Sequence, residues 1–215
     1  MIKWLVILSA MLLAPSAPAM AERPVLVELF ASQNCTACPK AHRTLRDVEA
    51  GHVDDVLILT WSVDYWDYVG QPDPMAMPFA SERQKAYTER FGLRAPYTPQ
   101  SVYDGEKQCP ATRKQTVEAN IDDQSHKRAS GVSIEPVRGG FSVDGVLREP
   151  VEVRLVSYLS GDANTTDMVN PVTRSELLGT WTGGRVTYGY TCDGSCAVIV
   201  QARGHGEVLA ASSLQ

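Results

Sequence analysis

The chain has 215 residues, of which 20 are lysine or arginine and 25 are aspartate or glutamate, so its formal net charge is −5. A mildly acidic chain without basic runs is a poor match for nucleic acid, because affinity for nucleic acid depends on Lys and Arg side chains that neutralise phosphates. We therefore expect no nucleic acid among its partners. The length fits one large domain or two small ones.

The first 21 residues have the pattern of a secretory signal peptide. Lys3 precedes an apolar run from Trp4 to Ala14, and the segment ends in Ala19-Met20-Ala21. The apolar run is shorter than the about 20 residues that a membrane-spanning helix needs. We predict that residues 1–21 are removed and that the mature protein is secreted or periplasmic, without stable membrane insertion. The alternative is an uncleaved membrane anchor.

A strand, a helix and a second strand are predicted in this order at the start of the mature chain. Val25 to Phe30 and Val56 to Val63 are apolar runs rich in strand-forming residues. Between them, apolar residues recur at helical spacing from Cys35 until Gly51. This order is typical of a βαβ unit with parallel strands.

The rest of the chain divides into two regions with different residue patterns. An irregular segment rich in aromatics and prolines, residues 64–74, is followed by predicted helices at 81–91 and 112–127, with a strand at Ser101 to Tyr103 and a turn at Asp104-Gly105 between them. From Val132 onward, short β-type segments are separated by glycines. They are predicted at residues 151–159, 184–191, 197–202 and 208–210. We predict one domain over residues 22–130 and a β-rich C-terminal unit over residues 131–215.

Cys35 and Cys38 form a CxxC pair between the first predicted strand and helix. At a helix N-terminus the free backbone N–H groups and the macrodipole favour negative charge, so a thiolate there is stabilised. We predict that Cys35 is the nucleophile and Cys38 the resolving thiol in thiol-disulfide exchange. The partners of such chemistry are client protein thiols or disulfides and a redox partner that recharges the pair. We expect no cofactor and no bound metal.

Other interpretations of the pair remain open. One is a non-enzymatic binding module, in which structural disulfides hold the fold and the aromatic segment and the β unit bind a ligand. Another is copper handling through Cys35, Cys38 and His42. We expect Trp61 in the core, whereas Trp66 and Tyr68 either cap the core or line a groove beside the cysteines.

The five cysteines include three outside the CxxC pair, and an odd number leaves at least one without an intramolecular disulfide. Cys192 and Cys196 flank a glycine-containing turn, so we expect a structural disulfide between them. Cys109 is either a buried free thiol or a partner for another cysteine.

Several motifs resemble a known family. Val25 to Phe30, Cys35 to Pro39, Val63 to Tyr68, Tyr97 to Gln100 and Asp104-Gly105 resemble the exported thioredoxin-like proteins called domain of unknown function 1223. The resemblance implies an α/β thioredoxin-like domain, with a central mixed sheet flanked by helices, followed here by a small antiparallel β unit. It also implies a bacterial envelope location and a redox role.

Three further site residues follow from the thioredoxin-like pattern. In such proteins a cis-proline loop faces the cysteine pair, and Thr98-Pro99 occupies the corresponding place, where it would position the client backbone. Glu28 lies in the middle of the first strand, where a carboxylate is costly unless it is paired or protonated. Either Glu28 lies close to Cys38 and transfers protons during resolution, as the matching acid does in thioredoxins, or it points to a solvated edge.

Overall fold

The computed structural model describes residues 23–127, 130–192 and 194–214, so the predicted signal peptide at residues 1–21 lies outside the described residues. In this part of the chain, eleven strands and three α-helices form a mixed α/β structure. The elements in chain order are β1 (Val25–Ala31), α1 (Cys38–Glu49), β2 (Val56–Ser62), α2 (Pro78–Arg90), β3 (Gln100–Tyr103), β4 (Lys107–Cys109), α3 (Lys114–Ser125), β5 (Ser133–Val137), β6 (Gly140–Asp144), β7 (Val151–Tyr158), β8 (Val172–Trp181), β9 (Val186–Gly189), β10 (Ser195–Ala202) and β11 (Val208–Leu214). Single 3₁₀ turns occur at Asp67–Val69 and Gly161–Ala163.

The first sheet has the strand order β2-β1-β3-β4. β1 and β2 pair in parallel, which confirms the predicted βαβ arrangement. β3 pairs with β1 and β4 pairs with β3 in antiparallel register. All seven residues of β1 are buried, because β1 is a central strand with packed layers on both faces.

Helices cover both faces of this sheet. α1 and α3 lie on one face, where Leu45 of α1 and Val117 of α3 share a buried cluster with Val27 and Leu29 of β1. α2 lies on the opposite face, where Tyr87 packs with Phe30. α2 begins at Pro78, three residues before the predicted start, because a proline in the first helical turn has no N–H to satisfy and has its φ preset for a helix.

The region after residue 130 forms two antiparallel sheets, ordered β11-β10-β7-β8 and β5-β6-β9. The first of these packs one face on the helix-flanked sheet, where Val156 and Ile199 join the cluster of Leu26 and Phe30. Its other face packs on the three-stranded sheet, where Val198 meets Phe141. The buried core is therefore continuous from the βαβ unit into the C-terminal strands.

Among the described residues, no helix combines the length and the apolar character needed to cross a bilayer.

Candidate functional site

The cysteine pair lies where β1 leads into α1. After β1 ends at Ala31, the backbone turns so that the Cys35 N–H donates to Ser32 O at 3.2 Å and the Cys38 N–H donates to Cys35 O at 3.1 Å. α1 begins at Cys38, and the N-cap residue Ala37 makes no side-chain capping bond. The Cys38 N–H is thus bonded and Pro39 has none, so the positive end of the α1 dipole is what the helix start offers the two sulfur atoms.

Cys35 and Cys38 are joined in a disulfide, with 5.4 Å between their Cα atoms. Both cysteines are nearly inaccessible, with 3% and 0% of their surfaces exposed. The disulfide is therefore covered by neighbouring side chains, and these neighbours determine what can approach it.

Trp66 is the neighbour that links the pair to the proline loop. It packs against the buried cluster that contains Cys35 and Cys38, and its Nε1–H donates to Thr98 Oγ1 at 2.8 Å. The Thr98–Pro99 peptide bond is cis, as predicted. On the outer side of Trp66, Tyr68 stacks with a ring separation of 6.4 Å and is 84% exposed. Trp66 thus joins the aromatic segment to Thr98 and packs on the buried cluster that contains the disulfide.

Two polar residues that no sequence motif marks connect the turn before α1 to the segment that follows the aromatic residues. The buried Asp73 accepts hydrogen bonds from the Gln33 N–H at 2.8 Å and from Ser62 Oγ at 2.6 Å. Asn34 Nδ2 donates to Gln71 O at 3.0 Å. Asp73 stands between Pro72 and Pro74, which marks a turn but gives no sign of the partners across it.

Glu28 is not a neighbour of Cys38, which corrects both interpretations of this residue. It is fully buried, so it does not point to a solvated edge. Successive side chains on a strand point to opposite faces. Val27 and Leu29 face the cysteines, while Glu28 points to the other face and accepts hydrogen bonds from Arg83 Nε at 2.5 Å and Tyr87 Oη at 2.5 Å.

His42 lies one turn after Cys38 on α1 and is only 4% exposed. Its Nδ1 accepts a hydrogen bond from the Val169 N–H at 3.3 Å. Burial, and then the positive charge of Arg46, lower the pKa of His42 to about 4. His42 is therefore a neutral ring at pH 7, and its Nδ1 is occupied by the backbone.

A metal-ligand set is not formed in the part of the chain that the structure describes, where no three His, Cys, Asp or Glu side chains are grouped as ligands would be. For the copper alternative, Cys35 and Cys38 are bonded to each other and His42 Nδ1 has a backbone partner. The donor set of that alternative is therefore not assembled in this arrangement.

Of the remaining cysteines, Cys192 and Cys196 belong to a different buried cluster from the pair, whereas Cys109 packs against the same cluster as the pair. Cys192 and Cys196 form a disulfide at the start of β10, and Cys196 belongs to the cluster between the two C-terminal sheets. Cys109 is a half-buried free thiol at the end of β4. Its sulfur lies 3.4 Å from Tyr103 Oη and 3.5 Å from Asn120 Nδ2.

The fold and the site define a mixed α/β protein with a disulfide at the start of a helix and an all-β region packed on its sheet. The sequence profile of the family described as "Protein of unknown function (DUF1223)" matches residues 26–197. The chain belongs to this family, as the sequence motifs predict.

A solved structure shares this architecture. The crystal structure of protein AGR_C_4864 from Agrobacterium tumefaciens matches with a TM-score of 0.77 and 26% sequence identity, over 91% of this chain and 96% of that chain. No curated protein matches the chain.

Proposed function

We propose that this protein is an exported thioredoxin-like oxidoreductase that exchanges disulfides with client proteins through Cys35 and Cys38. The observation that supports this most is the position of the pair, between a buried strand and the uncapped start of α1. Sulfur at a helix N-terminus forms a thiolate more readily than a free cysteine. The signal-like segment at residues 1–21 supports export. The two disulfides agree with export, because disulfides form and persist outside the cytosol.

The exchange has two steps. The Cys35 thiolate attacks one sulfur of a client disulfide, and the other client sulfur leaves as a thiolate. Cys38 then attacks the Cys35 sulfur of the mixed disulfide, which forms the Cys35–Cys38 bond and releases the second client thiolate. Two electrons pass from the pair to the client. The reverse sequence oxidises a client dithiol, and the reduction potentials of the pair and the client determine the net direction.

A client protein must bind next to the buried pair before it can react, and the aromatic segment is suited to bind it. Tyr68 is 84% exposed while stacked on Trp66, and an exposed aromatic beside a reactive centre provides rigid apolar contact area for a client. Thr98 holds Trp66 through its hydroxyl. In this proposal Thr98 and Pro99 position the client backbone next to Cys35.

The exchange activity is tested with a peptide that contains one disulfide and whose fluorescence changes on reduction. The protein, kept reduced by dithiothreitol, should reduce the peptide faster than dithiothreitol alone. Cys35→Ser and Cys38→Ser should each abolish this acceleration, whereas Cys109→Ser should retain it because Cys109 lies outside the pair. An unchanged rate in Cys35→Ser would contradict the proposal.

The docking role is tested separately with Tyr68→Ala. We expect kcat/KM for a protein disulfide to fall about fivefold, because loss of an aromatic contact in an interface costs about 1 kcal/mol or more. The rate with a small linear disulfide, hydroxyethyl disulfide, should not change. Val146→Ala is the matched control, since Val146 is 93% exposed and lies outside the aromatic segment. Equal effects on the two substrates would count against docking at Tyr68.

A further inference from the structure

A cavity of about 640 Å³ lies beside the disulfide, between α1 and the loop of residues 165–168. Its volume is in the range of small-molecule binding sites. The side chains that matter for its chemistry are Cys38, His42, Arg43, Arg46, Thr165 and Thr166. Cys38 lines this cavity and Cys35 does not.

The walls of the cavity are held by hydrogen bonds. Cys38, His42 and Arg46 are spaced four residues apart, so they lie along one face of α1. In the opposite wall, Asn164 Oδ1 accepts from the Thr166 N–H at 3.1 Å and from Thr166 Oγ1 at 2.7 Å. Arg46 Nη2 donates to Asp167 O and fixes this loop against the helix. The cavity is therefore built by contacts within the protein before any ligand is bound.

His42 contributes an unsatisfied donor to this cavity. Because Nδ1 accepts the Val169 N–H, the proton of the neutral ring is on Nε2. His42 is 4% exposed and lines the cavity, and within the described residues Nε2 has no hydrogen-bond partner. Nε2 is not one of the fully buried polar atoms that lack a partner, so its N–H is open to the cavity and can donate to a hydrogen-bond acceptor on a ligand.

The charges around the cavity favour an anion. Arg43 and Arg46 line it and, in the described part of the chain, neither forms an ion pair with a carboxylate. Asp167 also lines the cavity, which leaves one net positive charge on these three side chains. That balance matches a monoanion better than a dianion, and a guanidinium is well shaped to bind a carboxylate through two hydrogen bonds.

We propose that this cavity binds a small organic compound with one carboxylate group, held by Arg43, Arg46 and His42 Nε2. A free small acid and the C-terminus of a short peptide both offer this group. The volume accommodates a ligand of several non-hydrogen atoms, with the Thr165 hydroxyl in the lining to bond its polar groups.

Binding at this place should be coupled to the redox state of the pair, and this step rests on the proposed function. The reduced pair carries the negative charge of the Cys35 thiolate, which disfavours an anion in the neighbouring cavity, whereas the disulfide is neutral. A carboxylate should therefore bind the oxidised protein more tightly and lower the reduction potential. A tenfold preference corresponds to about 30 mV for two electrons.

The test titrates the oxidised protein with N-acetylglycine, with N-acetyl-triglycine, with the C-terminal amide of that peptide and with inorganic phosphate. Binding is followed by calorimetry and by the NMR signal of the His42 Nε2–H. We expect saturable binding of the acids with a shift of that signal, and at least about tenfold weaker binding of the amide. Tighter binding of the tripeptide than of N-acetylglycine identifies a peptide terminus as the ligand, and the reverse identifies a free acid.

Arg43→Gln should weaken carboxylate binding at least about tenfold, and it should fold normally because Arg43 is exposed. Lys40→Gln is the matched control, since it removes an exposed positive charge from the same helix outside the cavity. Absence of saturable carboxylate binding, tighter binding of phosphate, or equal losses in the two variants would overturn the inference. If carboxylate binding fails while the protein still reduces the peptide disulfide, the proposed exchange function is retained and the cavity proposal is rejected. If carboxylate binding persists without disulfide exchange, the cavity proposal is retained and only its coupling to the redox state is rejected.

Discussion

Arg83 and Glu28 form a buried ion pair with two hydrogen bonds, from Nε to Oε1 at 2.5 Å and from Nη2 to Oε2 at 3.0 Å. Arg83 Nη2 also donates to Gln201 Oε1 at 2.9 Å, so the pair connects β1, α2 and β10. Burial by itself disfavours the charged guanidinium, but the Glu28 carboxylate outweighs this and holds the pKa of Arg83 above its ordinary value. The role of Glu28 is therefore to join the first sheet to the C-terminal strands.

Replacing Glu28 with glutamine should destabilise the fold strongly. The change leaves the buried Arg83 charge without a counter-charge, which costs about 3–5 kcal/mol in the free energy of unfolding. Chemical denaturation measures the loss. Glu176→Gln is the control, because its pair with Arg174 is largely exposed and such pairs contribute about 0–1 kcal/mol.

The same variant distinguishes a structural Glu28 from a proton-transfer group. We expect the folded fraction of Glu28→Gln to exchange disulfides at the parental rate, because Glu28 lies on the sheet face opposite the cysteines. If the variant does not fold, Tyr87→Phe provides a second probe, since it removes one hydrogen bond to Glu28 and preserves the ion pair. A variant with parental stability and little exchange activity would contradict the structural role.

The Cys192–Cys196 disulfide should contribute to stability and not to exchange. It closes a short loop, so its removal by Cys192→Ser with Cys196→Ser should cost about 2 kcal/mol by chain entropy. The exchange rate with the peptide disulfide should equal that of the parent, because Cys196 is buried between the two C-terminal sheets. Thermal denaturation and the exchange assay measure the two effects, and lost exchange in a folded variant would show that the second pair takes part.

Acid should weaken the fold through His42. Its pKa is about 4 in the folded protein against an ordinary value of 6.5, mainly because of burial. The unfolded chain therefore binds more protons as the pH falls below about 6.5, and stability is lost from there down to about pH 4. His42 accounts for about 2 kcal/mol of the loss between about pH 7.5 and about pH 5.

Denaturation of His42→Gln at several pH values measures this contribution. Glutamine does not titrate and retains an acceptor for the Val169 N–H, so the loss of stability with acid should be about 2 kcal/mol smaller than in the parent. His205, whose burial also lowers its pKa to about 4, is present in both proteins and cancels in the comparison. His126→Gln is the control, since His126 is exposed at the end of α3. An unchanged pH dependence in His42→Gln would be incompatible with a buried neutral ring.

The region from β1 to the proline loop could be predicted from the sequence because its patterns are local. The apolar runs of β1 and β2, the helical spacing of α1 and the proline loop depend on neighbouring residues. β8 was missed because its ten residues mix exposed and buried positions without an apolar pattern. The strands β5 and β6 are short and were also missed.

The parts of the site that could not be predicted depend on contacts between distant segments. Arg83 lies 55 residues from Glu28, and no local pattern gives the face of β1 to which Glu28 points. The cavity beside Cys38 likewise forms only because Val169 and Asp167 pack on α1, at separations of 127 and 121 residues from His42 and Arg46. Asp73 was missed for the same reason, because its partner Gln33 is 40 residues away.

The central claim is that Cys35 reacts with client proteins and Cys38 resolves the product, and trapping in the cell envelope tests it most directly. Tagged Cys38→Ser should accumulate mixed disulfides with envelope proteins through Cys35, visible as reducible adducts on gels. Cys35→Ser should form few or none, because in the proposed exchange Cys38 attacks only the Cys35 sulfur of the mixed disulfide. Equal and negligible trapping by both variants, each shown to be folded and exported, would contradict the exchange function.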